Sequence, residues 1–166
     1  MTSLYLNSKY PDLFAASLYV SGQWDISVLD SMKEQTFFYI TSAGDTKASG
    51  GQSEVMDMFD AGGVAYTYGE WNCKDTDQNE KAEELISEGL SANMIRFDAE
   101  FTDDSGTRQS LTHMLSFNYA YKIEAVRNWL FEQTKLEYSD NGGSFLRKAS
   151  PAFFSSIFSP PVNHLC

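Results

Sequence analysis

The sequence predicts an α/β fold in which a mostly parallel sheet is flanked by helices. Helix-like and strand-like segments alternate along the chain, which is typical of strands joined by crossover helices. The run FAASLYVS at 14–21 is apolar almost throughout, as expected of a parallel strand that is covered on both faces. The 166 residues, 42% of them hydrophobic, are enough for one domain with a packed core.

The first half of the chain predicts two strands among helices. Residues 1–10 have a helix-compatible pattern of apolar side chains, and Pro11 ends this helix because proline cannot continue it. The strand at 14–21 follows, and residues 23–35 form a short helix or a loop. The clearest strand lies at 36–42, where four apolar residues stand between threonine and serine.

The second half predicts two more strands and three helices. The longest helix has the strongest signal, because Tyr121, Ala125 and Trp129 recur every four residues. The acidic helix is expected to present a solvated face rather than a binding site. The elements are an amphipathic helix at 51–61 ended by Gly62-Gly63, a strand at 64–69, the acidic helix at 74–89, a strand at 93–101 and the long helix at 117–135.

The character of the chain changes after residue 135. Residues 136–166 are rich in serine and phenylalanine, hold three of the four prolines and have no clear period. We therefore divide the chain into one α/β domain at 1–135 and an irregular tail at 136–166.

Composition argues against several classes of partner and cofactor. A net charge of −11 and a pI near 4.4 argue against a nucleic-acid surface and against binding to an anionic membrane. No apolar stretch reaches the length of a membrane span. Two cysteines make no disulfide framework, and no metal-ligand spacing is present, so no cofactor is expected. No signal-peptide pattern is visible at 1–10, but this leaves the compartment open because the true N-terminus could lie upstream.

Two residues stand where functional side chains gather in α/β sheets. Asp45 follows the strand at 36–42 by a few residues, and His113 precedes the long helix. Functional residues of such sheets lie beyond the carboxyl ends of the strands. An acid followed by a histidine is the second half of the Ser-Asp-His order of α/β-hydrolases. The alternatives are that Asp45 only caps the next helix and that His113 is a surface or helix-capping residue.

Three stretches together resemble a known family. They are MTSLYLNSKYPDLFAASLYVSG, FFYITSAGDTKAS and THMLSFNYAYKIEAVRNWLFEQ. In order and spacing they resemble the C-terminal half of an α/β-hydrolase of the prolyl-oligopeptidase-like, feruloyl-esterase and polyhydroxybutyrate-depolymerase-type group, over about residues 1–135. The resemblance implies a partial α/β-hydrolase fold whose N-terminal strands are missing. It also implies that Asp45 is the acid and His113 the histidine of a triad.

The resemblance places the catalytic serine just before Met1. In the family a G-x-S-x-G elbow runs into a helix that often begins with MT, and no serine of this chain has glycine at both two-residue offsets. The expected function is therefore a serine hydrolase of carboxylic esters or peptides, with Trp24 as a candidate substrate contact. One alternative is an inactive truncated fragment that acts as an interaction module, and another is a small α/β binding domain with a coincidental likeness. An open strand edge also predicts self-association or a complementing N-terminal segment.

Overall fold

A computed structural model describes residues 2–134 of the chain. The predicted tail at 136–166 lies outside the described residues. The strands are β1 at Ser17–Val20, β2 at Phe37–Ser42, β3 at Thr67–Trp71, β4 at Ala92–Phe97, β5 at Glu100–Thr102 and β6 at Arg108–Ser110. The α-helices are α1 at Thr2–Lys9, α2 at Thr46–Gly62, α3 at Gln78–Ser87, α4 at His113–Ala120 and α5 at Glu124–Glu132, and two short 3₁₀ helices lie at Ile26–Val28 and Asp30–Glu34.

The four longest strands form one parallel sheet in the order β1-β2-β4-β3. All of their carboxyl ends therefore meet at the same edge of the sheet. The two central strands are β2 and β4, and every residue of β2 is buried, as its apolar sequence predicts. The strands β5 and β6 form a separate antiparallel hairpin. The structure thus confirms a mostly parallel sheet with flanking helices.

Helices cover both faces of the sheet. Successive side chains of a strand point to opposite faces, so each strand contributes to two helix-covered cores. Phe38 of β2 faces one layer, where its ring meets Trp129 of α5 edge-on at 4.9 Å between centroids. Phe37 faces the other layer and meets Phe59 of α2 at 6.0 Å. The first layer holds α3, α4 and α5, and the second holds α1, the 3₁₀ helices and α2.

Several elements differ from the sequence-based prediction in their bounds. The strand predicted at 14–21 is ordered as a strand only at Ser17–Val20. The helix predicted at 51–61 begins earlier, at Thr46, because Asp45 caps it, and it ends as expected where Gly63 has a left-handed φ of 64°. The hairpin of β5 and β6 was not predicted, since its strands are short and exposed for most of their length.

The long helix predicted at 117–135 is two helices. Ile123 has an extended backbone (ψ 102°) between α4 and α5, so the helical ladder ends and begins again. The side-chain oxygen of Asn79 in α3 accepts a hydrogen bond from the N–H of Ala125 and satisfies one free donor of the new helix. The periodic residues Ala125 and Trp129 are buried in α5, whereas Tyr121 is exposed. Within 2–134, no helix is both long and apolar enough to cross a membrane.

Candidate functional site

Asp45 lies beyond the carboxyl end of β2 and is the N-cap of α2. Its Oδ1 accepts a hydrogen bond from the N–H of Ala48 at 3.3 Å, which satisfies one of the free donors of the first helical turn. The positive end of the helix dipole also favours a negative charge at this position. The local sequence therefore holds the carboxylate at the sheet edge and leaves Oδ2 free for another partner.

That partner is His113, the first residue of α4. Its Nδ1 lies 2.6 Å from Oδ2 of Asp45, across 68 residues of sequence. The Asp45 side chain is only 9% exposed, whereas the His113 side chain is 53% exposed. Among the described residues no group is bonded to Nε2, so the second ring nitrogen is open to a reactant. The structure thus brings the two predicted site residues together.

The carboxylate of Asp45 takes on both roles that the sequence left open. One oxygen caps α2, and the other holds the imidazole. A carboxylate on Nδ1 favours the tautomer in which Nδ1 carries the proton and Nε2 has a free lone pair. The exposed Nε2 of His113 can therefore accept a proton.

Ser42, the last residue of β2, is hydrogen-bonded to the segments that precede Asp45 and His113. Ser42 is fully buried, and its Oγ accepts a hydrogen bond from the N–H of Gly44 at 3.0 Å. The same Oγ lies 2.9 Å from the carbonyl oxygen of Leu111 and 3.2 Å from that of Asp98, so it donates to this pair of acceptors. One hydroxyl thus contacts the chain just before Asp45 and the chain just before His113.

A second pair of serines fixes α4 from the side of β1. Ser21 follows β1 and has a φ of 46°, which is uncommon for a residue other than glycine. Its hydroxyl lies 2.5 Å from that of Ser116, and Ser116 donates to the carbonyl oxygen of His113 at 2.7 Å. Both serines are buried, so they are structural partners of the histidine helix.

The paired side chains border an open cleft of about 540 Å³. One wall is apolar, with Phe117 meeting the His113 ring edge-on at 5.4 Å and stacking on Tyr121 at 6.0 Å. The first turn of α1 also borders this space. The lining residues are Ser3, Leu18, Val20, Ser21, Gln23, Asp45, Lys47, Ala48, His113, Phe117 and Tyr121. The cleft can hold an apolar group beside the His113 imidazole.

Tyr39 in β2 lies close enough to Asp45 to be affected by its charge. Burial is the main cause that raises the pKa of Tyr39, and the negative charge of Asp45 raises it further. The phenol stays protonated and donates to the carbonyl oxygen of Gly22 at 2.5 Å. This contact ties the loop after β1 to the sheet under the cleft.

Trp24, the predicted substrate contact, is not among the residues that border the cleft. Its indole packs against Tyr5 of α1 at 5.3 Å between ring centroids, and the neighbouring Gln23 lines the cleft instead. Its role as a substrate contact stays a prediction. Ser21 and Ser42 were not among the predicted site residues, and their positioning contacts were missed. The available signal was their place at the carboxyl ends of two apolar strands.

Nothing in the described part of the chain resembles a metal site: it holds no group of three or more histidine, cysteine or acidic side chains placed to bind an ion. Comparisons of the chain with family models, with curated proteins and with solved structures find no match.

Proposed function

We propose that this chain carries the acid and the histidine of a serine hydrolase that cleaves carboxylic esters or peptide bonds within a partial α/β-hydrolase fold. The observation that supports the proposal is the 2.6 Å contact between Nδ1 of His113 and Oδ2 of Asp45 at the rim of an open cleft. A largely buried acid, an exposed imidazole and a free Nε2 are the arrangement that activates a hydroxyl nucleophile.

The proposed roles of the two residues are those of a general base and of the acid that orients it. Nε2 of His113 takes the proton of the serine hydroxyl as its oxygen attacks the acyl carbon. The imidazolium formed is stabilised by Asp45, which stays ionised. His113 then gives the proton to the leaving alcohol or amine. In the second half of the reaction His113 activates a water that releases the acyl group from the serine.

We place the nucleophile on the chain that leads into α1. Ser3, in the first turn of α1, borders the cleft, so a residue just before this helix would be carried to the same space. Ser21 also borders the cleft, but it is buried and bonded to Ser116.

Cys73 is a poor alternative nucleophile. It is buried, and this burial raises the pKa of its thiol to about 11, so the thiolate is scarce at neutral pH.

The proposal is tested by ester hydrolysis with two forms of the chain. One starts at Met1, and the other is translated from the in-frame codons upstream, with any G-x-S-x-G intact. We expect the longer form to release p-nitrophenol from short acyl esters. Asp45→Asn and His113→Ala should lower kcat/KM by on the order of 10²–10⁴-fold, because each removes the general base or its orientation.

Met114→Ala is the matched control, since Met114 follows His113 in α4, is 71% exposed and does not border the cleft. It should retain the activity of the parent. Asp45 and His113 variants as active as the parent would exclude both residues from the mechanism. Upstream codons with a stop or an unrelated sequence, and no turnover by either form, would favour an inactive fragment that serves as an interaction module.

A further inference from the structure

We infer that Ser42 is a positioning residue that sets the distance between Asp45 and His113. The inference concerns the geometry of this pair, and its meaning for catalysis rests on the proposed hydrolase function. Three observations carry it: the two-sided hydrogen bonding of the Ser42 hydroxyl, the close approach of Gly44 to the histidine loop, and the burial of this contact beneath an exposed imidazole.

The hydroxyl of Ser42 connects two loops that are far apart in sequence. It accepts from the N–H of Gly44, which directly precedes Asp45. It donates toward the carbonyl oxygen of Leu111, two residues before His113. A serine hydroxyl is suited to this place because it can donate one hydrogen bond and accept others through the same oxygen.

Gly44 makes the second part of the contact. A Cβ atom on this residue would lie 2.6 Å from the carbonyl oxygens of both Ala99 and Leu111. The absence of a side chain therefore lets the acid loop lie directly on the backbone of the histidine loop. The N–H of Leu111 is in turn bonded to the carbonyl oxygen of Ala99 at 2.8 Å, so the surface that Gly44 meets is itself fixed.

The hydrogen bonds of Ser42 are buried, and this explains how they can position the more exposed pair of Asp45 and His113. Ser42 is 0% exposed, so its hydrogen bonds do not compete with water. The His113 ring is 53% exposed, and a solvated imidazole on a loose loop would leave its carboxylate readily. Removing the hydroxyl leaves the N–H of Gly44 and the carbonyl of Leu111 without this partner, and the loops are then free to move apart.

The test reads the His113 ring directly and needs no turnover. The ¹⁵N and ¹H signals of the ring report which nitrogen carries the proton, and His113→Gln assigns them because the chain has only two histidines. We expect a protected Nδ1 proton in the parent. Ser42→Ala should lose this protection and show a mixture of tautomers. Ser42→Cys, which keeps the size and a weaker donor and acceptor, should lie between the two.

Thr41→Val is the matched control. Thr41 is also fully buried in β2, but its hydroxyl donates to Gln52 and contacts neither loop. It should lower stability and leave the His113 ring signals unchanged. Parent-like ring signals in a folded Ser42→Ala protein would overturn the inference.

A measurement on the parent protein covers the case in which the Ser42 variants do not fold. The amide of Gly44 should exchange slowly with solvent, since it donates to a buried oxygen. Fast exchange of this amide would overturn the inference without any variant. In the active longer form, Ser42→Ala should lower kcat/KM by on the order of 10²-fold, as expected for a displaced catalytic group. Loss of the protected ring proton in Ser42→Ala, together with no esterase activity in the longer form, would support the positioning role and contradict only the proposed function.

Discussion

The two oxygens of Asp45 serve different structures. Oδ1 caps α2 through Ala48, and Oδ2 holds His113. An N-cap contributes about 1 kcal/mol to stability, and asparagine caps nearly as well as aspartate. The same side chain can therefore be changed so that one contribution is kept and the other is lost.

We expect Asp45→Asn to retain most of the stability of the parent while it removes the negative charge beside the imidazole. Asp45→Ala should lower the free energy of unfolding by about 1 kcal/mol, because it removes the cap as well. Urea denaturation of the three proteins measures the difference. Equal destabilisation by both substitutions would show that the charge, and not the cap, is the stabilising contribution.

At the scale of the element, two glycines near Asp45 differ in the space around them. Gly44, in the loop, has no room for a side chain, and Gly50, in α2, has ample room. A Cβ on Gly44 would overlap two backbone carbonyl oxygens, whereas a Cβ on Gly50, inside α2, meets nothing within 4 Å. Backbone cannot move aside as a flexible side chain can. Gly44 is therefore required by packing, and Gly50 only adds flexibility to a helix.

Gly44→Ala should destabilise the protein by about 1–3 kcal/mol through overpacking. Gly50→Ala should stabilise it by about 0.5–1 kcal/mol, because alanine favours the helix and restricts the unfolded chain. Thermal unfolding of the pair provides the comparison. A Gly44→Ala protein as stable as the parent would mean that the two loops do not lie in contact.

The sequence predicted the type of the main elements better than their ends. Apolar runs such as that of β2 predict a central strand directly, because burial on both faces leaves no polar positions. The start of α2 was placed too late because Gly50 is a poor helix former, and the cap by Asp45 outweighs it. The break at Ile123 was missed because it depends on Asn79 of another helix.

The candidate site was predictable only where it depends on local sequence. Asp45 and His113 follow from their place after a strand and before a helix. The buried contacts of Ser42 and Ser21 depend on loops that meet only in the folded chain, and no local pattern encodes them. Side chains that act through a tertiary contact are the ones that sequence reasoning misses.

At the scale of the whole molecule, β1 is an edge strand among the described residues. The N–H groups of Ser17 and Ser21 point toward β2, where they donate to Thr36 and Ile40. By the alternation of a parallel ladder, the N–H groups of Leu18 and Val20 point away from the sheet. Such donors are a template for another strand, from a second copy or from an N-terminal segment.

We expect the chain that starts at Met1 to self-associate at micromolar concentration, with a mass above 18.6 kDa in size-exclusion chromatography with light scattering. Leu18→Pro should lower the association, because it removes an outward donor and proline is tolerated on edge strands. Tyr19→Pro is the matched control. It should unfold the protein, since it removes the N–H of Tyr19, which faces β2. A dilute parent monomer that melts cooperatively would contradict the prediction.

The acid belongs to a helix on one face of the sheet and the histidine to a helix on the other. The 2.6 Å bond between them consequently exists only while both helical layers are seated on the strands. Displacement of either layer would therefore separate the two groups even while the strands stayed paired. The ring signals of His113 therefore report whether both helical layers are packed on the sheet.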